Sequence, residues 1–238
     1  MVSVSIATFL LLVLSPWAQT ESSLTAEQRA DILMARKMYR EAVEGYKEGP
    51  LDSAVIWNKI GIAYHQMMQM DEARRNYEKA LKLNPKYAEA INNLGTVYYA
   101  RRSFRRAIAQ YNKALKLTPN SASIYSNLGT AQFARRKYKE ASEAYQKALS
   151  LDPEVFEHRS AYGTLLQERT VAEKARFHYY LAKTYANAGN LERAIRYIRM
   201  ALEEGFKERQ KLLEEPEFAK LRETAEFKEL MATEPRVL

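Results

Sequence analysis

A chain of 238 residues without cysteine can carry no disulfide, no cysteine-ligated zinc or iron–sulfur cluster and no lipid on an N-terminal cysteine. Only 8 Gly and 7 Pro, against 47% hydrophobic and 28% charged residues, argue against a loop-rich all-β protein and against low-complexity disorder. The 37 Lys and Arg exceed the 29 Asp and Glu to leave +8, a charge that attracts acidic surfaces but does not select a fold.

Residues 1–20 read as a leader rather than as part of the fold. They carry no charged side chain, Ile6–Leu14 is almost wholly apolar, and small or polar residues follow at Ser15, Ala18 and Thr20 before the first charge at Glu21. This is the pattern of a secretory signal peptide, with an apolar run about half of the ~20 residues that span a bilayer. Residues 1–5 hold no Lys or Arg, and cleavage after Ala18 would put Pro16 at the −3 position. An uncleaved N-terminal anchor is therefore the competing reading, and a role as neither is a third. Either of the first two places the remainder outside the cytoplasm, periplasmic or extracellular.

Residues 23–53 come next. Ala30, Leu33, Ala42 and Tyr46 fall at helical spacings, and Gly49-Pro50 stops the pattern early. From residue 54 a strict period of 34 takes over. Gly61, Gly95 and Gly129 are 34 apart, as are Ala73, Ala107 and Ala141; Tyr77, Tyr111 and Tyr145; Ala80, Ala114 and Ala148; and Pro85, Pro119 and Pro153. Trp57, Ile91 and Tyr125 keep the same interval, and so do Ile60, Leu94 and Leu128. Within one period, Trp57, Ile60, Gly61 and Tyr64 share one helical face, and Ala73, Tyr77 and Ala80 share another. The turn between them is short, so the two helices pack antiparallel, with Gly61 and Ala73 small where two backbones approach. Pro85 ends the second helix. One such hairpin cannot bury its own face, so neighbours must stack.

Residues 54–155 resemble three tandem tetratricopeptide repeats, 54–87, 88–121 and 122–155. The resemblance implies an all-α, right-handed superhelical solenoid of antiparallel helix pairs. Residues 23–53 are similar to a degenerate copy. Residues 175–208 are similar to a divergent fourth, with Leu181, Ala182, Tyr185, Ala194 and Ala201 at matching offsets, Ile198 in place of the aromatic and Gly205-Phe206 in place of Pro. Between them, 156–174 is a spacer that ordinary links of about 4–6 residues do not explain. Thr170 and Glu173 form a capping-box pattern that starts the next helix near Val171. Two readings stay open for 156–169: a plug in which Phe156, Tyr162, Leu165 and Leu166 fill a groove between repeats, or a recognition loop or flap over the concave face. Residues 209–238 carry the amphipathic groups Leu212/Leu213, Phe218/Leu221 and Phe227/Leu230/Met231, expected as helical turns that cap the last repeat; similar tails close other tetratricopeptide arrays.

No catalytic constellation is present. His65, His158 and His178 lie apart, and HExxH, GxSxG, P-loop and GxGxxG patterns are absent. No enzyme activity, cofactor, metal or small-molecule substrate is expected. What remains is surface. In the family the first helix of each repeat lines the concave face, which here offers Asn58, Ile62 and His65; then Asn92, Asn93, Thr96 and Tyr99; then Ser126, Asn127, Thr130 and Phe133; then Tyr179, Tyr180 and Lys183. Amides, hydroxyls and aromatics suit an extended peptide. Asn93 and Asn127 resemble the asparagine ladder of O-linked N-acetylglucosamine transferases, with capping of local turns as the alternative. The carboxylate clamp of chaperone-binding relatives is broken by Ile62.

The charge is local: 54–87 carries +3 and 88–121 carries +5, which together equal the whole excess. Arg101, Arg102, Arg105 and Arg106 are answered one period later by Arg135, Arg136, Lys137 and Lys139, so stacking aligns a basic edge. It either serves solubility and the helix C-termini or docks on an acidic partner, lipid or polysaccharide. Nucleic acid fits poorly, because no stacking aromatics are interleaved with the basic residues. The resemblance implies a non-enzymatic scaffold that binds a protein or extended peptide, in the manner of bacterial repeat proteins that assist pilus, secretion or outer-membrane assembly. Docking on anionic surfaces and self-assembly into a structural solenoid are the alternatives.

Overall fold

The structure is a computed structural model and describes residues 24–157 and 171–232. The leader, the capping-box Thr170, His158 and the Tyr162, Leu165 and Leu166 of the spacer lie outside the described residues. Among those described, every regular element is helical. Five antiparallel pairs follow one another: α1 (Ala26–Ala35) with α2 (Tyr39–Lys47), α3 (Ala54–Gln66) with α4 (Met70–Leu83), α5 (Ala88–Ala100) with α6 (Phe104–Leu117), α7 (Ala122–Ala134) with α8 (Tyr138–Leu151), and α9 (Val171–Asn187) with α10 (Leu191–Glu203). The tail adds α11 (Arg209–Glu214), a 3-10 turn (Pro216–Phe218), α12 (Ala219–Arg222) and α13 (Ala225–Ala232).

Each pair turns through the same device. The first helix ends in a Schellman motif, in which the residue after the C-cap adopts the left-handed conformation and two backbone N–H groups return to the last turn. Ser103 N–H donates to Tyr98 O (2.8 Å) while Arg102 N–H donates to Tyr99 O (2.8 Å), and the same two bonds recur at Gln69/Met68, Lys137/Arg136 and Asn190/Gly189. The left-handed positions are Lys37, Met68, Arg102, Arg136 and Gly189, with φ between 57° and 77°. Only the last is glycine. The second helices end differently. Asn84, Thr118 and Asp152 are extended at φ −134°, −132° and −148°, as expected for residues that precede a proline. Asn84 and Asp152 then accept the N–H of Lys86 (3.1 Å) and Glu154 (2.9 Å) on their side chains.

The small residues of the repeat make room for rings rather than for backbone. A β-carbon added to Gly61, Gly95 or Gly129 would lie 2.5–2.6 Å from the ring of Tyr77, Tyr111 or Tyr145 in the partner helix. Those tyrosines, and Ala73, Ala107, Ala141, Ala80, Ala114 and Ala148 beside them, are buried. Both end pairs solve the same crossing with other residues. In the fourth copy Ala182 faces Ile198, a smaller side chain, and both are buried. In the first pair Ala30 meets Tyr46, and the glycine moves to the other helix as Gly45, whose added β-carbon would lie 3.2 Å from that of Ala30.

Apolar clusters bridge successive pairs. One joins Ala30 and Tyr46 to Ile56 and Ile60, the next joins Ile62 and Tyr77 to Leu94 and Val97, and a third joins Tyr111 and Leu115 to Ile124 and Leu128. In these junctions each first helix runs antiparallel to the second helix before it; Arg101, just past the end of α5, pairs with Asp71 in the first turn of α4.

The α8–α9 junction is reversed. Tyr138, at the start of α8, stacks on Tyr180 near the middle of α9 (4.7 Å between centroids) and receives a hydrogen bond from Arg176 in its first half (3.2 Å). Leu149 and Ser150, at the other end of α8, share a hollow with Tyr185 and Asn187. Arg193 at the start of α10 donates to Pro153 O (2.6 Å) and pairs with Glu154. The fifth pair therefore stacks with its first helix running the same way as α8. This accounts for the long link. Residues 84–87 and 118–121 suffice where the next helix starts beside the end of the last. Here α9 starts beside the start of α8, whose 14 residues extend about 21 Å, a span of at least ~6 extended residues. Phe156 packs edge-on to Tyr145 (5.4 Å) and Tyr185 (6.2 Å), filling the junction.

Candidate binding surfaces

The asparagines expected to line a groove are spent between repeats. Asn127 Nδ2 donates to Asn92 Oδ1 (3.1 Å), Asn92 Nδ2 to Asn93 Oδ1 (3.4 Å), and Asn93 Nδ2 to Asn58 Oδ1 (3.0 Å). Asn58 Nδ2 reaches the Tyr87 hydroxyl at 3.5 Å. The result is an amide relay through α7, α5 and α3, with Asn58, Asn93 and Asn127 at 1%, 2% and 5% exposure. This corrects the sequence expectation. Amides buried at this level satisfy one another, because an unpaired one would carry a desolvation penalty, and little of their surface is left for a peptide to reach.

Other expected groove positions follow the same course. Thr96 and Thr130 are buried and donate to the carbonyls of Asn93 (2.7 Å) and Ser126 (2.9 Å) in their own helices. Ile62 belongs to the apolar cluster between the second and third pairs. Phe133 is covered edge-on by Tyr138, Phe177 and Tyr180 at 5.3–5.8 Å. Because the fifth pair is reversed, its three positions do not extend the row. Tyr179 stacks on Phe206 (4.5 Å) and meets Phe218, while Lys183 pairs with Glu215 and with Glu217 (3.2 Å) of the tail. Burial opposes the charge on Lys183, but the two carboxylates outweigh it and raise its pKa; burial and then Glu215 push the Tyr179 phenol up. His65, Tyr99 and Ser126 keep part of their surface. Burial holds the His65 imidazole below its ordinary pKa, so it is neutral at pH 7.

The basic edge is brought together in space. Arg102, Arg105, Arg106 and Arg135 line one open hollow between the second and third repeats. Arg102 and Arg136 also line a cleft of about 110 Å³ with Tyr99, Phe104, Phe133 and Tyr138, closed on one side by Glu173 and Arg176 of α9. Arg101 is paired to Asp71, and Lys137 to Glu140 (2.8 Å). Lys139 is exposed. Sequence reasoning placed the arginines but missed Phe104, Tyr138 and Arg176. The first two recur 34 residues apart as the aromatics that open α6 and α8. Arg176 could not be found by period, because only the reversal brings it to this edge.

Among the described residues no group of three His, Cys, Asp or Glu could hold a metal ion, and no helix is long and apolar enough to cross a membrane. His178 Nδ1 lies 2.6 Å from Glu204, tying α9 to the end of α10.

The comparisons with known proteins agree on the architecture. Family models described as tetratricopeptide repeat match residues 52–120, and 92–156 and 126–205. No curated protein matches the chain. Among solved structures, MamA aligns with a TM-score of 0.51 at 21% identity over 76% of this chain and 96% of its own. A MamA fragment from Desulfovibrio magneticus RS-1 aligns at 0.52, with 20% identity over 75% and 92%. BtubC from P. vanneervenii aligns at 0.52, with 23% identity over 77% and 78%. The 34-residue columns, the stacked helix pairs and the family models covering most of 52–205 lead to one conclusion: the chain belongs to the tetratricopeptide repeat family.

Proposed function

We propose that the protein is a non-enzymatic interaction scaffold that binds a segment of a partner protein, and that it works outside the cytoplasm in an envelope-associated assembly such as a pilus or secretion system. The observation that carries the reading is the turn edge of the second and third repeats, where four arginines face one hollow and packing uses none of them as core. Charges so gathered repel one another and favour an acidic counterpart. Because the amides of the first helices are buried against one another, the reading favours this edge over the concave face for the contact. Export rests on the uncharged, apolar leader before Glu21.

A photo-crosslinker placed at Arg105, on the edge, and separately at Lys147, on an exposed face away from it, tests this in the native cells. A protein adduct at position 105 and none at 147 is the expected result. Absence of any adduct at 105, or the same adducts at both, rejects the scaffold reading. Mass spectrometry of the mature N-terminus with cell fractionation tests export; an intact chain recovered in the cytosol rejects it.

The same arginine hollow gives some weight to a second reading, docking on anionic lipid or polysaccharide. Loss of envelope association between about 0.05 and 0.5 M salt, with no protein adduct at 105, is the outcome that favours it.

A further inference from the structure

We infer that the cleft between the second repeat, the third repeat and the start of α9 is a docking site for an acidic peptide segment that inserts one aromatic side chain. The inference rests on the scaffold reading above and names the place and the chemistry.

Four rings form the walls. Tyr99 and Phe104 lie 5.3 Å apart, tilted, and Phe133 and Tyr138 lie 5.3 Å apart, edge to face. The cleft they line is about 110 Å³, of the order that takes one ring, since an apolar cavity of ~150 Å³ holds benzene. Arg102 and Arg136 stand at its mouth, and Arg102 and Phe104 also belong to the neighbouring hollow lined by Arg105, Arg106 and Arg135. A ring entering the cleft would therefore carry its flanking residues across guanidinium groups. Guanidinium pairs with carboxylate through two parallel hydrogen bonds and stacks on aromatic faces, which an ammonium does not do as well.

The second observation is conformational. Arg102 and Arg136 occupy the left-handed position of their turns, at φ 57° and 60°. A β-carbon is unfavourable there, and the equivalent residue of the fifth pair is Gly189, at φ 77°. Two successive repeats thus hold arginine where glycine would fit the backbone better, and both arginines line the same cleft. Lys37 and Met68 hold the same position in the first two turns, at φ 61° and 60°, so the conformation alone singles out neither arginine; their shared cleft does. A lipid headgroup offers charge without an aromatic ring, and an acidic sugar offers a saturated ring in place of the flat one that edge-to-face packing favours, so a protein segment is the occupant.

The test is fluorescence anisotropy of the full chain with a labelled acetyl-Glu-Asp-Phe-Asp-Glu-amide probe. Binding is expected to be at least about tenfold tighter than for the same peptide with Ala in place of Phe, and to weaken as salt rises. Arg102→Gly with Arg136→Gly is expected to weaken probe binding about tenfold or more while the melting temperature holds or rises. If that variant loses helicity, Arg102→Gln with Arg136→Gln removes the charge and keeps a β-carbon and an unbranched polar stem. Equal affinity for the Phe and Ala peptides, unchanged affinity in the charge-removing variants, or no binding at millimolar probe overturns the assignment. Preferential retention on phosphatidylglycerol vesicles overturns it in favour of a lipid surface. A protein adduct at Arg105 that persists alongside any of these failures leaves the scaffold standing and removes only the cleft.

Discussion

Asn93 donates a side-chain N–H to Asn58 across 3.0 Å, from the third helix pair to the second, and both side chains are almost fully buried. The pair converts a row of apparently ligand-seeking amides into a seam. Polar groups so placed fix the register between repeats, because a shift along the helix would leave each amide unpaired in an apolar setting. Asn93→Ala strands the Asn58 carbonyl oxygen and removes the acceptor of Asn92. It is expected to lower stability by about 1–3 kcal/mol. A urea midpoint equal to that of the parent chain would show that the relay carries no such load. Probe binding at the turn-edge cleft should be untouched by the change.

Gly95 and Tyr111 form a size-matched pair, and the fourth repeat shows the alternative match in Ala182 and Ile198. Gly95→Ala puts a β-carbon 2.6 Å from the tyrosine ring, an overpacking expected to cost about 1–3 kcal/mol. Adding Tyr111→Ile should recover part of that loss. The two changes together are then less destabilising than the sum of each alone, by ~0.5 kcal/mol or more in a double-mutant cycle. Strict additivity would mean that the two repeats do not solve the same crossing.

Met68 holds the left-handed position of the α3–α4 turn at φ 60° and is one of the more exposed apolar side chains. Met68→Gly removes the β-carbon strain and loses little buried surface. Thermal melts should rise by about 1–4 °C, corresponding to a gain of up to ~1 kcal/mol. A fall in melting temperature would show that the unfolded-state entropy of glycine outweighs the relieved strain.

His65 binds a proton less readily folded than unfolded, because burial holds its pKa below the ordinary 6.5. Stability from the neutral ring is complete above the unfolded pKa and is lost as pH falls below it. The melting temperature is expected to drop between pH 7.5 and pH 5.5 (about two units of acidification), and His65→Gln should make that drop smaller. An identical pH profile in the variant would remove His65 as the source.

Phe218 is fully buried against Tyr179 and anchors a tail whose Glu215 and Glu217 hold Lys183. Phe218→Ala should cost about 3–5 kcal/mol locally. In an array whose neighbours contact only neighbours, the loss should stay at that end. Hydrogen exchange is expected to quicken in α9, α10 and the tail while α3–α6 keep their protection. Uniform acceleration would show that the chain opens as one unit.

Much of this was legible because three copies repeat in register. Columns such as Gly61/Gly95/Gly129 and Pro85/Pro119/Pro153 identify helix faces and stops with no tertiary knowledge. The amide relay was not legible: Asn58, Asn92, Asn93 and Asn127 look alike to a periodicity argument whether they face a groove or a neighbouring helix. The difference lies in how closely the first helices approach. The reversal of the fifth pair was hidden too, because a column of small residues reports which face of a helix is buried but not which way the helix runs past its neighbour. Only the length of the spacer signalled that something differed there.

The reversal also sets a limit on growth. A hairpin laid in the opposite sense does not offer the next unit the surface that the previous three offered one another, and the tail already occupies what it does offer. Duplication of a 34-residue unit could lengthen the stretch before α9, where each addition reproduces the seam it joins. Beyond α9 the same insertion would find no matching seat. Gains and losses of repeats among close homologues of this chain should therefore be confined to its N-terminal side.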